Sequence, residues 1–201
     1  MKYSIVTDID FLRQPCEDVS IEEGEEIAKI LWKVLAKHGD GIGLAANQIG
    51  IQKNVCVVSI RELEPVVLIN PKIIEMDNPI VFPYDGCLSF PGVEITTQRH
   101  TWCTIETDNI GTVMFGPTGI DEVTFKDPQL WESIAVQHEI DHGLGIVMFD
   151  REIKKTPVKR EKKYGRNEKI NIKNPTTKEV IEQIKYKKAE NYLKKDWIII
   201  E

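Results

Sequence analysis

His138 and His142 stand four residues apart, with Glu139 directly after the first, in Gln137-His138-Glu139-Ile140-Asp141-His142. On an α-helix, positions i and i+4 share a face one turn apart. Two imidazoles so placed can grip one metal ion, and the carboxylate between them lies close enough to handle a proton from water on that ion. The spacing points to a metal-dependent hydrolase. Two ligands do not complete such a site, which usually takes three from the protein and leaves a position for water. A cysteine thiolate is a natural third. Cys56 and Cys103 sit in strand-like runs, but Cys87 lies in Asp85-Gly86-Cys87-Leu88-Ser89-Phe90-Pro91-Gly92. Glycine and proline there mark an irregular segment that brings backbone close to something. A Cys87, His138, His142 set would bind Zn2+ or Fe2+ and generate hydroxide near neutral pH, with Glu139 as proton shuttle. A rival set keeps the two histidines and takes Asp150 or Glu152 as third ligand, in the manner of ordinary zinc peptidases.

The helix that must carry the pair is well marked. Asp127 can cap it, Pro128 suits its first turn, and Leu130, Trp131, Ile134, Ala135 and Ile140 recur at helical spacings, with Val136 less regular. Gly143 suits the position just past its end, and a half-buried helix is expected. An earlier helix starts at Ser20, with Glu23 completing a capping box. It buries Ile27, Ile30, Leu31, Val34 and Leu35 and ends at Gly39. The small residues of 41–50, Gly-Ile-Gly-Leu-Ala-Ala-Asn-Gln-Ile-Gly, imply close backbone approach, and their spacing fits neither a phosphate loop nor a dinucleotide fingerprint. Strand-like runs cover 55–60, 66–69, 72–76, 79–82, 93–97, 101–107 and 121–126. Strands clustered between two helices predict an α+β fold, with antiparallel strands packed around a central helix that carries the motif. Beyond a charged linker from Arg151 to Arg166, Ile170 and Ile172 alternate with polar residues. Strand 180–186, helix 187–195 and strand 197–200 would complete a small C-terminal α/β module, with one helix over 177–195 as the competing reading. The expected domains are 1–152 and 153–201.

The chain has 201 residues, 41% of them hydrophobic, enough for one domain and an appendage. No apolar run approaches the roughly 18 residues of a membrane span. The N-terminus meets acid too early for a signal peptide, so a cytoplasmic protein is expected, its cysteines free thiols or metal ligands in preference to disulfides. The net charge of −6 is uneven: residues 151–201 hold 16 Lys and Arg against 8 Asp and Glu, or +8, which leaves −14 on the rest. A basic segment on an acidic body predicts contact with a polyanion.

Three segments together resemble the signature motifs of peptide deformylases, in the right order: Gly-Ile-Gly-Leu-Ala-Ala-Asn-Gln (41–48), Gly-Cys-Leu-Ser (86–89) and Gln-His-Glu-Ile-Asp-His (137–142). Arg99 also matches that family's arginine, and the resemblance covers about residues 5–152. It implies removal of the formyl group from N-terminal formyl-methionine of new polypeptides, with Fe2+ in cells and Zn2+, Ni2+ or Co2+ in preparations. It implies that Cys87, His138 and His142 hold the metal, where the bound hydroxide attacks the formyl carbon. Glu139 would act as general base and then acid. The Gln48 amide and the Leu88 N–H would form an oxyanion hole. Gly43 would let the formyl group approach the backbone. Ile42, Gly86, Trp131, Ile134 and Ala135 would line the methionine pocket and a groove where an extended substrate adds like a strand. Two departures stand out: Asp85 replaces the family's usual glutamate, expected still to pair with Arg99, and Gly143 replaces a large apolar residue. The resemblance gives the basic tail a partner, ribosomal RNA, through phosphate contacts; neither membrane nor DNA is expected. A ribosome- or RNA-binding protein with a degenerate site is the non-enzymatic alternative.

Overall fold

The run Val55-Cys56-Val57-Val58 is apolar at every position, which a strand can bury only if both of its faces are covered. In the computed structural model, which describes residues 3–39, 41–118, 123–153 and 164–200, that is its situation. It forms β2 (Val55–Val58), the middle strand of an antiparallel sheet with β1 (Gly43–Ala45) and β3 (Val66–Ile69). Val55 and Val57 join Ile27, Leu31, Val34 and Leu35 of α2 (Ile21–Leu35) in one core. Cys56 and Val58 face the other way, into a core with Ala135, Val136 and Ile140 of α3 (Pro128–Gly143). The same core takes Cys103 and Ile105 from β5 (Glu94–Thr107). A four-residue helix, α1 (Ile9–Leu12), precedes α2 and buries Leu12.

The second sheet is antiparallel, in the order β4 (Lys72–Gly86), β5, β6 (Gly111–Phe115). Two pairs of expected strands are fused here, 72–76 with 79–82 and 93–97 with 101–107. The sequence breaks at Asp77-Asn78-Pro79, and Asn78 does adopt a left-handed φ of 56°. Pairing nonetheless resumes in register, with Asp77 opposite Trp102 and Pro79 opposite His100. Pro79 is tolerated because β4 lies at the sheet edge, where a missing N–H costs no ladder bond. Gln98-Arg99-His100 reads as a polar interruption, yet it runs through the middle strand because Arg99 finds buried carboxylate partners. The sequence places the end of the run 79–82 before Pro83; β4 continues past a register shift between Phe82 and Asp85 and delivers Gly86 to the cleft. Two strands, β1 and β6, were not anticipated. Of the expected strand 121–126, residues 121–122 lie outside the described residues and 123–126 form no strand, with a turn at 125–126.

The helix ends depart from expectation in an informative way. Ser20 Oγ accepts from the Glu23 N–H at 3.2 Å, but α2 stops at Leu35, before Gly39, in a tightening turn where the Lys37 and His38 N–H groups reach back only three residues. The Asp127 carboxylate caps α3 by accepting from the Gln129 N–H at 2.9 Å. Gly143 lies inside α3, and Gly145, at φ 73°, takes the left-handed position. The Gly145 N–H bonds the His142 carbonyl and the Ile146 N–H bonds the Asp141 carbonyl, a Schellman closure. Gly143 serves packing instead: a Cβ there would stand 2.6 Å from Asn54 Oδ1. Far from half-buried, α3 buries 11 of its 16 residues, including every one from Ser133 to His142.

The described residues fall into two compact units, divided between 153 and 154. In the second, β7 (Lys169–Lys173) pairs antiparallel with β8 (Val180–Lys185) and with β9 (Ile198–Ile200), and α4 (Tyr186–Leu193) follows β8 directly. The single helix over 177–195 is therefore not formed. A small core of Ile170, Ile172 and Ala189 holds this unit. Most of the expected linker, 154–163, lies outside the described residues. Among the described residues no helix is long and apolar enough to cross a membrane.

Candidate active site

A cleft of about 660 Å³ lies where the end of β4, the strand β1 and one side of α3 meet. Ile42, Gly43, Gln48, Gly86, Cys87, Leu88, Trp131, Ile134, Ala135, His138 and Glu139 all line it. His142, 1% exposed, sits behind the lining. Helical spacing puts the two imidazoles on one face of α3, with ring centroids 5.0 Å apart. The turn after β4 brings Cys87 Sγ to 3.3 Å from His142 Nε2. One donor atom from each of Cys87, His138 and His142 fits within a mutual spacing of 4.8 Å.

That spacing fits one ion. Nitrogen at about 2.1 Å and sulfur at about 2.3 Å on a tetrahedral metal stand roughly 3.5 Å apart. The donor set suits a borderline-soft divalent cation better than Mg2+ or Ca2+, which want oxygen. Asp150, by contrast, is taken up by Arg13 at 2.9 Å and by the Val147 N–H at 3.0 Å. Glu152 pairs with Thr97 on the flank of β5. Among the described residues the donor clustered with the two histidines is Cys87 and neither of these acids, so the ligand set of an ordinary zinc peptidase is not assembled.

The residues behind the donors are tightly organised. His138 Nδ1 lies 2.8 Å from Asp85 Oδ1. A carboxylate accepts, so Nδ1 carries the proton, and in the neutral ring that a metal takes Nε2 is the bare nitrogen. Asp85 Oδ2 accepts from Arg99 Nε at 2.9 Å, Arg99 Nη2 at 2.8 Å and Thr97 Oγ1 at 2.7 Å. Burial alone would raise the Asp85 carboxyl, but His138, Arg99 and Thr97 together hold it well below the usual carboxylate range. Burial likewise opposes charge on His138, and the Asp85 and Cys87 contacts reverse this and hold it high. His142 is pushed low by burial and by the positive charge of His138 and Arg99. The expected pairing of Asp85 with Arg99 is present, even though aspartate is one methylene shorter than glutamate.

Glu139 is buried like Asp85, but its carboxyl is set in the opposite direction. Burial pushes its carboxyl up to about 7, and its Oε2 is buried without a protein partner. An unpaired buried acceptor costs roughly 1–3 kcal/mol. It is tolerable where water or substrate supplies the missing donor. A Cβ on Gly43 would collide with the Glu139 carboxylate. The glycine therefore makes room for the acid, whatever it does for a substrate. Gln48 is held at both ends: its Oε1 accepts from the Ala45 N–H at 2.8 Å, and its Nε2 donates to Cys87 Sγ and Ser89 Oγ, each at 3.2 Å.

Sequence reasoning missed several residues of this site. Ser89, fully buried, fixes the Gln48 amide. Asp141 and Arg151 back Arg99 from behind. Phe82 and Tyr84 join Trp131 as an aromatic wall of the cleft, with Phe82 edge-on to Trp131 at 5.1 Å and Tyr84 stacked near it at 6.3 Å. The Trp131 indole is fixed by donating from Nε1 to the Phe125 carbonyl at 2.7 Å. The alternation Phe82, Tyr84, Gly86 along one strand was the available signal for that wall.

The profile of the polypeptide deformylase family matches residues 3–159. A peptide deformylase of Thermosynechococcus vestitus is 36% identical over 155 residues, which span 70% of this chain and 72% of that one. The crystal structure of peptide deformylase from Thermotoga maritima superposes with a TM-score of 0.61 at 28% identity, covering 77% of this chain and 99% of the other. A peptide deformylase structure from Plasmodium falciparum gives 0.61 at 26% identity, covering 75% and 87%.

Proposed function

The chain belongs to the polypeptide deformylase family, and from that membership we propose how its own residues carry the reaction. The family's activity is metal-dependent hydrolysis of the N-formyl group from formyl-methionyl peptides, with release of formate. Cys87, His138 and His142 would hold the ion, Fe2+ in the cell and Zn2+, Ni2+ or Co2+ in preparations. Bound there, the ion would supply a Lewis acid, lowering the pKa of water toward about 7 and polarising the formyl carbonyl.

The chain's side chains divide the remaining work. Glu139 takes the proton of the attacking water on its unpartnered oxygen and passes it to the leaving amine. Gln48 Nε2, aimed at Cys87 by its bonds to Ala45 and Ser89, donates to the oxygen on which charge develops, together with the Leu88 N–H. Ile42, Trp131, Ile134 and Ala135 receive the methionine side chain, and Gly43 and Gly86 leave room for extended substrate backbone. The convergence of one thiolate and two imidazoles beside a buried, unpaired carboxylate carries this reading. The test is formate release from formyl-Met-Ala, with metal content, on the protein and its Cys87→Ala variant. The protein should release formate and hold one ion, and the variant should do neither. Turnover by a metal-free Cys87→Ala protein would sink the assignment.

In this reading α3 is the central helix of a catalytic domain spanning about 1–152. Residues 153–201 form an appended basic α/β module, and the setting is cytoplasmic, where Cys87 stays reduced. The module's exposed Lys187, Lys188, Lys194 and Lys195 would contact ribosomal RNA. The supporting observation is the charge of +8 on 151–201 against −14 elsewhere. Co-sedimentation with ribosomes should weaken steeply with salt, and sedimentation insensitive to salt would reject the docking.

A further inference from the structure

Arg151 is the outer end of a line of alternating charges that finishes on His138. Its guanidinium grips Asp141 with two donors, Nη2 to Oδ1 at 2.7 Å and Nε to Oδ2 at 3.1 Å. Asp141 Oδ2 also accepts from Arg99 Nη1 at 2.6 Å. Arg99 turns its other edge to Asp85, and Asp85 accepts from His138 Nδ1. Asp85, Arg99 and Asp141 are 3%, 2% and 3% exposed, while the Arg151 side chain keeps 40% of its surface. Backbone pairing sets Arg151 beside β5, the strand that carries Arg99. The Gln98 N–H bonds the Arg151 carbonyl at 3.0 Å and the Ile153 N–H bonds the Thr96 carbonyl at 2.9 Å.

We propose that Arg151, acting through Asp141 and Arg99, is a positioning residue for the metal ligand His138. The reason is charge balance in a low-dielectric place. With His138 neutral, as a metal ligand is, two carboxylates and two guanidiniums leave this cluster neutral. Without Arg151, Arg99 is the one cation shared by Asp85 and Asp141, and a buried negative charge is uncompensated. Arg99 is then drawn toward Asp141, its hold on Asp85 loosens, and the carboxylate that fixes the His138 ring loses its own anchor. Residues behind a metal ligand act through such orientation, and losing one typically costs 10–100-fold in metal affinity.

This rests on the reading of His138 as a metal ligand, so the experiment separates the two. Full-length protein loaded with Co2+ is followed by its ligand-field absorption, by the rate of Co2+ loss to a chelator, and by kcat and KM for formyl-Met-Ala. Arg151→Ala should lose Co2+ roughly ten- to a hundredfold faster, shift the ligand-field bands, and lower kcat with KM unchanged. Arg151→Lys keeps the cation without the two-donor fork and should lose Co2+ severalfold faster; it carries the test if the alanine variant does not fold. Lys29→Ala removes an exposed pair with Glu26 on α2, which touches none of these residues, and should match the parent protein. Parent-like Co2+ retention and spectrum in the Arg151 variants would overturn the proposal. So would equal losses in Lys29→Ala, because general loosening would then explain them. If His138→Ala keeps Co2+ like the parent, the ligand assignment itself falls.

Discussion

Charge is used in opposite ways in the two units of this protein. Around His138, Asp85, Arg99 and Asp141 are buried and interlocked. In residues 164–200, Arg166, Lys169, Lys178, Lys185, Lys187, Lys188, Lys194 and Lys195 are exposed. Burying an ion pair costs several kcal/mol of desolvation per ion, recovered only with good geometry and further hydrogen bonds. A fold that keeps such a cluster beside two imidazoles is holding them in one orientation. Exposed charges cost little and are screened over about 8–10 Å of salt solution. They act as a field on a partner, and no single one is decisive. One unit should therefore be intolerant of single substitutions and the other tolerant of them.

The largest effect should come from Glu139. Glu139→Gln keeps the shape and removes the proton acceptor, so formate release should fall about 10²–10⁴-fold. Metal analysis should find the ion still bound, and a variant within threefold of the parent would remove Glu139 from the chemistry. Gln48→Ala deletes one donor to the developing oxyanion and should lower kcat about 10²–10³-fold, read in steady-state kinetics. Arg99→Ala leaves Asp85 and Asp141 facing each other's charge. It should cost about 3–5 kcal/mol of stability and weaken metal retention about 10–100-fold, measured by chemical denaturation and chelator competition.

The second unit sharpens the contrast. Ile172 is fully buried in its small core. Ile172→Ala should destabilise that unit by about 2–5 kcal/mol, seen as faster proteolysis after residue 164, while turnover of formyl-Met-Ala stays unchanged. Loss of turnover would show that the units are energetically coupled. The smallest effect belongs to the surface lysines. Replacing Lys187 and Lys188 by Gln should leave formate release untouched and lower the salt slope of ribosome association by at most about 2.

Much of the site could be read without coordinates because helical periodicity is local. The i, i+4 rule alone aims His138 and His142 the same way, and Asp127 and Pro128 start their helix where expected. Gly143 misled because both it and Gly145 satisfy the local signal for a helix end. The choice fell to Asn54, which occupies the space beside Gly143. Strand boundaries misled for a similar reason. Asn78, Pro79 and the polar run through Arg99 look like interruptions until one knows that β4 is an edge and that Arg99 is neutralised by residues 14 and 42 positions away.

Residue types and spacings, together with three short motifs, were enough to determine the family and to single out a cysteine, two histidines, a carboxylate and an amide as its candidate chemistry. Tertiary structure decided what makes that chemistry possible. It sets one carboxyl, Asp85, low by surrounding it with donors and another, Glu139, high by leaving it dry. It also joins Arg151 by hydrogen bonds through three buried residues to a histidine ring. A side chain's pKa and orientation depend on what lies within a few ångströms of it, and most of those neighbours are far away along the chain.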